Sequence, residues 1–134
     1  MYKYPIEVQF GEIDSYGIIH NPEILNYMER ARCKFFLDNG FDIRPNASPV
    51  GMVVRNITIK IKGQIMMFDN IDLELTTSNI DEYSFDFNYV LRKNGKTVVS
   101  AVTQNAYIGL ETMSLIPIPE DQIKLLKTIE KQPK

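Results

Sequence analysis

The sequence predicts an α+β fold, in which a curved antiparallel sheet of about five strands wraps around one long central helix. Three observations predict it. A single long segment, Pro22 to Asn39, carries apolar residues at the three- and four-residue spacing of one helix face: Ile24, Leu25, Met28, Ala31, Phe35 and Phe36. One run of alternating apolar and polar residues precedes this segment and four follow it. Asn94-Gly95, between two of those runs, is a strong two-residue hairpin signal. One strand, one helix and then strands joined by short turns is not the alternating order of a parallel sheet. A helix that is apolar over much of its circumference needs a surface that curls around it, and one strongly curved sheet supplies that surface. The sheet also leaves an edge and an outer face to cover, so a homo-oligomer is expected, either a dimer or a homotetramer of two dimers.

The elements follow in chain order. Tyr2 to Phe10 alternates, with Tyr4, Ile6, Val8 and Phe10 on one face, and Gly11 ends it. A polar loop from Gly11 leads to Asn21, which is placed to cap the helix, while Pro22 takes a first-turn position where a missing N–H costs nothing. Glu23 then sets a negative charge beside the positive end of the helix dipole. Asn39-Gly40 supplies the left-handed residue that stops the helix. Phe41 to Pro49 contains two prolines and is expected to be a loop. Val50 to Lys62 is a long strand with Val53, Arg55, Ile57, Ile59 and Ile61 on one parity, and Gly63 is expected to mark a bulge. Ile65 to Thr77, Tyr83 to Arg92 and Thr97 to Ile108 complete the sheet, which Pro117 and Pro119 close. The tail from Pro117 to Lys134 has a weak helical pattern in Ile123, Leu126 and Ile129.

Composition narrows the function classes. The 134 residues are expected to form a single domain, 1–134, long enough for a real core. Hydrophobic and charged shares of 44% and 24% are those of an ordinary globular chain. A formal net charge of −2 argues against a nucleic-acid partner, which calls for a basic stripe. The single cysteine, Cys33, leaves no intramolecular disulfide, and no Cys/His spacing matches a zinc site, so no metal is expected. Neither an apolar leader nor a membrane-spanning stretch is visible in the sequence, and a cytoplasmic setting is expected.

The chemistry-bearing residues cluster before the helix. Asp14 and the only histidine, His20, lie in the loop that ends at Asn21. A helix N-terminus has free N–H groups and a positive dipole end, so this loop can set a carboxylate beside an anion site. The alternative is that Asp14 merely caps the Ser15-Tyr16-Gly17 turn. His20 either contacts substrate, shares proton traffic with Asp14, or bonds to backbone. Glu29 lies two helical turns beyond Asn21, where pairing with Arg30 or Arg32 competes with any substrate role. Cys33, mid-helix with no base nearby, is expected to be a packed thiol. Met66-Met67 fits an acyl pocket or ordinary core filling.

Asp14-x-x-Gly17-x-x-x-Asn21, followed by Leu25-Asn26-Tyr27-Met28-Glu29-Arg30-Ala31-Arg32, resembles the hotdog-fold acyl-coenzyme A thioesterases of the 4-hydroxybenzoyl-CoA thioesterase type. Val53-Val54-Arg55, Phe68-Asp69-Asn70 and Pro117-Ile118-Pro119 extend the likeness over nearly the whole chain. The sequence departs from the pattern at Ile65-Met66-Met67, where the family often has Pro-Ala-Arg or Pro-Ala-Lys, and at His20, where an aromatic or Asn is common. Met67 therefore supplies no basic group toward coenzyme A. The resemblance implies hydrolysis of an acyl-CoA or acyl-carrier-protein thioester without a cofactor, at active sites in a dimer interface. It implies Asp14 as general base or nucleophile, with the amide near Asn21 polarising the carbonyl and His20 as a further catalytic candidate. Tyr16, Gly17 and Glu29 are the candidate substrate contacts. The rivals are a hotdog hydratase or dehydratase using a His20/Asp14 pair, a non-catalytic acyl-thioester binding module, and a purely structural oligomer.

Overall fold

The computed structural model of the protein describes residues 1–44 and 46–131. Its elements are β1 (Tyr2–Glu7), α1 (Asn21–Asp38), β2 (Val50–Ile61), β3 (Asn70–Ser78), β4 (Ser84–Lys93), β5 (Lys96–Gly109), β6 (Ser114–Ile116) and α2 (Glu120–Lys127). The strands form one antiparallel sheet in the order β1-β3-β4-β5-β2, with the short β6 added to β5. The predicted α+β class, the antiparallel sheet and the long helix against it are all present. The sixth strand is an addition to the expected five.

Helix α1 packs on the face of the sheet that carries the odd residues of β3 and β4. Its Ile24, Tyr27, Met28, Ala31, Phe35 and Phe36 are buried in one cluster with Ile71, Leu73, Leu75, Phe85, Phe87, Tyr89 and Leu91. Aromatic edges set the fit. The Phe35 and Phe36 rings lie 6.2 and 6.1 Å from that of Phe87 at steep angles, and Tyr2 of β1 meets Phe35 at 5.4 Å. These are the edge-to-face distances that aromatic quadrupoles favour. The helix stops as Asn39-Gly40 predicts: Gly40 has φ +84, its amide donates to Leu37 O and the Phe41 amide to Phe36 O, and Phe41 packs on Phe36. That is the paired closure that satisfies the last carbonyls of a helix.

Its start differs from expectation. The helix begins at Asn21, one residue early, with His20 in the cap position, and no side chain closes the cap. Asn21 is therefore helical and cannot accept from the first turn as predicted.

Other boundaries shift for local reasons. Strand β1 ends at Glu7 because Phe10–Glu12 coil into a 3-10 turn, closed when the Gln9 amide donates to Glu12 Oε1 at 2.8 Å. Phe10 is consequently exposed. Strand β3 starts at Asn70, five residues later than predicted, because Met66–Asp69 form a turn in which Phe68 takes φ +65. In β2 the register slips between Val54 and Asn56, so the bulge falls at Arg55 and not at Gly63. The slip moves Met52 and Val54, rather than Val53, to the side of Ile57, Ile59 and Ile61, a one-residue change that flips every side chain before it.

The tail docks. Leu125, Leu126 and Ile129 are buried, and α2 hangs on Thr77 of β3, whose hydroxyl donates to Leu126 O at 2.6 Å. The Thr77 amide donates to Ile129 O and its carbonyl accepts from the Lys131 amide, so the tail covers the edge of β3 beyond the end of β1. Residues 132–134 of the predicted tail lie outside the described residues. Among the described residues, no helix is long and apolar enough to cross a membrane.

Thr77→Val keeps the shape of the side chain and removes the donor to Leu126 O. We expect about 1–2 kcal/mol of lost stability in urea unfolding, the scale of a buried hydrogen bond whose acceptor is left unmatched. An unchanged midpoint would show that the tail is held by its apolar side chains alone.

Candidate active site

The loop before α1 is a narrow ribbon. The Asp14 amide donates to Ile18 O at 2.8 Å, Ile13 bridges Ile19, and the His20 amide donates to Glu12 O at 2.8 Å. Gly17 turns the ribbon at φ +79, a conformation that a side chain would strain. The ribbon is laid on the sheet by two contacts: the Ile19 amide donates to Ile65 O at 2.7 Å, and Ile18 bridges Met66.

At its tip stands Asp14, exposed to solvent. Its Oδ1 accepts from the amides of Tyr16 at 2.8 Å and Ile18 at 3.2 Å, so the turn-capping role weighed from the sequence is real. Only one oxygen is used that way. Oδ2 accepts no hydrogen bond among the described residues. Tyr16 is 83% exposed beside it.

His20 is exposed and makes no hydrogen bond to Asp14. The two residues sit two rungs apart on the ribbon, about 7 Å at the usual rise per residue. The Asn21 amide, at the start of α1, donates to no group among the described residues, whereas the Glu23 amide is already used by His20 O. With Pro22 between them lacking an N–H, a single free amide remains at this helix end.

Glu12 holds the ribbon to the helix. Besides the Gln9 amide, its Oε1 accepts from Tyr27 Oη at 2.7 Å, and its Oε2 pairs with Arg30 at 3.3 Å. The Arg30 guanidinium lies 5.0 Å from the centre of the Tyr27 ring. Burial, then the bond to Glu12, pushes the Tyr27 phenol well above its ordinary range, so it remains a donor at any working pH. Sequence reasoning missed both residues. Glu12 two positions before the candidate base was the available signal.

Glu29 is not brought to Asp14. It lines a shallow hollow of about 340 Å³ with Glu12, Glu23, Asn26 and Arg30. The expected pairing of Glu29 also fails among the described residues, because Arg30 goes to Glu12 and Arg32 donates to Tyr89 Oη at 3.1 Å. Cys33 is half-buried, and burial raises its thiol, as expected of a packed cysteine. The larger hollow, about 780 Å³, opens at the opposite end of α1 between Phe36, Phe41, Val50, Met52, Tyr107 and Leu110. None of the predicted site residues lines it. Asn105, one rung inward on β5, is fully buried, with its Nδ2 on Thr103 O and its Oδ1 without a protein donor. No group of three His, Cys, Asp or Glu side chains among the described residues could hold a metal ion.

Comparison with known proteins adds the family. Residues 8–126 match the model of a thioesterase-like superfamily. A curated protein of Aquifex aeolicus, which carries only the provisional name of esterase, is 26% identical over 125 residues, covering 92% of this chain and 96% of its own. A 1,4-dihydroxy-2-naphthoyl-CoA hydrolase of Synechococcus elongatus is 23% identical over 122 residues, covering 89% and 90%. A 1,4-dihydroxy-2-naphthoyl-CoA thioesterase of Synechocystis, 13% identical, superposes with a TM-score of 0.88 over 98% of both chains.

The ribbon rests on the turn that Asp69 closes. Burial alone would raise this carboxyl, but the Lys93 ammonium at 2.7 Å and the Met66 amide at 2.7 Å hold it below the usual carboxylate range. A lowered folded pKa contributes stability above the unfolded value of about 3.9, and loses it as pH falls through the folded value. Thermal melts from pH 6 to pH 2 should therefore show Asp69→Asn less stable than the parent at pH 6, with the gap closing below about pH 4. A gap independent of pH would mean that the ion pair contributes nothing.

Proposed function

This chain belongs to the thioesterase-like superfamily, and on that premise we propose that it hydrolyses an acyl thioester of coenzyme A, or of an acyl-carrier protein, to the free acid and thiol. The observation that carries the reading is the state of Asp14. One oxygen of this exposed residue is fixed by two ribbon amides, and the other has no partner among the described residues, close in the chain to the free amide of Asn21. The first bond sets the carboxylate's direction; the second oxygen is available to take a proton.

The reaction follows from those groups. Asp14 Oδ2 accepts a proton as the oxygen of a water bonds to the acyl carbon. The carbonyl electron pair moves to its oxygen, which the Asn21 amide and the helix dipole stabilise. When the carbon–sulfur bond breaks, the pair returns to form the acid carbonyl, and the departing sulfur takes the proton from Asp14. His20, two rungs away and without a hydrogen bond to Asp14, holds the water or the carbonyl in this reading. Tyr16 and Gly17 flank the attack site at the ribbon's tip. A direct attack by Asp14, giving an anhydride that water then opens, uses the same oxygen.

Relatives named for aryl-CoA substrates support coenzyme A as the carrier. Such substrates, and the absence of a spanning helix among the described residues, support a cytoplasmic setting. The working unit in this reading is a homodimer. Strand β2 is one of the sheet's two edges, and Ile57 and Ile61, on the helix side, are 47% and 53% exposed. A second β2 pairing there satisfies the edge amides and covers both residues. A homotetramer would also have to bury the opposite face, which carries Asp72, Glu74, Asp86, Asn88 and Arg92, so the reading stops at the dimer.

Asp14→Asn keeps the cap acceptor and removes the base. Thiol release at saturating acyl-CoA should fall by about 10²-fold or more, with a melting temperature close to that of the parent. Near-normal turnover would end the mechanism. Light scattering should return twice 15.5 kDa for the parent, whereas Ile57→Arg, which sets like charges against each other in the pair, should return the monomer mass. A parent that is monomeric at micromolar concentration would refute the dimer.

A further inference from the structure

We infer that Tyr27 is a positioning residue for the Asp14 site: its hydroxyl, acting through Glu12, sets how far the Asp14 carboxylate stands from the Asn21 amide. The inference rests on the thioesterase reading and goes beyond it in naming what holds the two reacting groups in register.

The two groups belong to different bodies. Asp14 is carried by the ribbon and Asn21 by α1, and no hydrogen bond joins one to the other among the described residues. Among those residues, every hydrogen bond from the body of α1 to the ribbon ends on the Glu12 carboxylate. Tyr27 Oη donates to its Oε1 at 2.7 Å, and Arg30 Nη2 to its Oε2 at 3.3 Å. The two bonds are unequal. The Arg30 side chain is 49% exposed, and a half-exposed pair of that length fixes little. The Tyr27 ring is fully buried, so its hydroxyl is held in one place. Tyr27 lies six residues past Asn21 in α1, about 9 Å further along the axis. Long side chains on a helix lean back toward its N-terminus, which is how the phenol meets a residue beside the helix start.

Glu12 stands where the segments cross. Its carbonyl accepts from the amide of His20, the residue just before α1, at 2.8 Å. Its own amide donates to Gln9 O at 3.0 Å, and its Oε1 also accepts from the Gln9 amide at 2.8 Å. Asp14 follows two residues later on the same ribbon. A rigid helix, a buried phenol and a clamped Glu12 therefore give the base one position relative to the helix start. Glu12 is not itself the base: Oε1 takes two donors and Oε2 faces Arg30, whereas Asp14 Oδ2 takes none among the described residues. Tyr27 does not relay a proton either, because burial and then the bond to Glu12 hold the phenol well above its ordinary range. What the hydroxyl supplies is distance, and a misplacement of about 1 Å at a reacting pair can cost 10²-fold in rate.

Thiol release from a panel of acyl-CoA esters tests this with the parent, Tyr27→Phe, Glu12→Ala, the double variant and Thr77→Val, each beside a thermal melt. Tyr27→Phe keeps the buried ring and loses only the hydroxyl. Its kcat should fall by about tenfold or more while KM moves by less than about twofold, the split of an interaction that matters only in the transition state. The pH profile of kcat should keep its shape. The double variant should lose no more than the larger of the two single losses, because both changes cut one link. Thr77→Val, which loosens the distant tail, should melt lower and keep the parental kcat. A parental kcat in Tyr27→Phe, losses that multiply in the double variant, a shifted pH profile, or an equal fall of kcat in Thr77→Val would each overturn the inference while leaving the hydrolase. A parent inactive on the whole panel would overturn the thioesterase reading, and the inference with it.

Discussion

The constraint on which the rest depends is a mismatch of widths. Five strands at about 4.8 Å spacing span roughly 19 Å, whereas one helix with its side chains is about 10–12 Å across. A single helix cannot cover such a sheet. Here α1 sits over β3 and β4, where the Phe35, Phe36 and Phe87 rings interlock, and next to β1, where Tyr2 meets Phe35. The strand left uncovered is β2, at the far edge. Its exposed isoleucines, its unpaired amides and the hollow at the helix end are consequences of that one choice of seat.

The helix N-terminus is placed by electrostatics as much as by packing. Glu12 receives the Tyr27 hydroxyl, the Gln9 amide and Arg30, and its carbonyl receives the His20 amide. Half-exposed pairs such as Glu12 with Arg30 contribute little stability by themselves. The Tyr27 bond differs because the ring is buried and the donor is fixed. Together these bonds determine where the ribbon stands relative to the first turn of α1, and so where Asp14 stands relative to the Asn21 amide. The same ribbon is tied on its other side to Ile65 and Met66. Helix and sheet thus meet at the candidate site through backbone bonds, which any acceptable sequence can make.

What was legible in the sequence was what periodicity and turn chemistry encode. The helix stop at Asn39-Gly40, the Asn94-Gly95 turn with φ of +53 and +78, and the buried Phe85, Phe87, Tyr89 and Leu91 all follow from local rules. The bulge was misplaced because Arg55 has the same parity as Ile57, so the alternation appears unbroken through the slip. The start of β3 was misplaced because Phe68 takes φ +65 in a turn whose amide donates to Val8 O, a tertiary bond without a local signature. At the candidate site, the loop and its carboxylate were legible, but Glu12, Tyr27 and the distance to Glu29 were not. Those depend on which helix face turns toward the ribbon. The large hollow was also invisible, since it is assembled from Phe36, Met52 and Tyr107, far apart in the chain.

The geometry also bears on the rival chemistries. A hydratase or dehydratase using His20 and Asp14 as one acid–base pair needs both groups at adjacent atoms of a substrate. On this ribbon they are two rungs apart with no hydrogen bond between them, and Asp14 is oriented by amides rather than by the imidazole. A binding module needs no exposed carboxylate with an oxygen left unpaired, where a charge only raises the cost of desolvation. Hydrolysis does need one, because the step that must be assisted is removal of a proton from water at the acyl carbon. An exposed, half-fixed carboxylate is poorly suited to binding an apolar acyl group and well suited to that step.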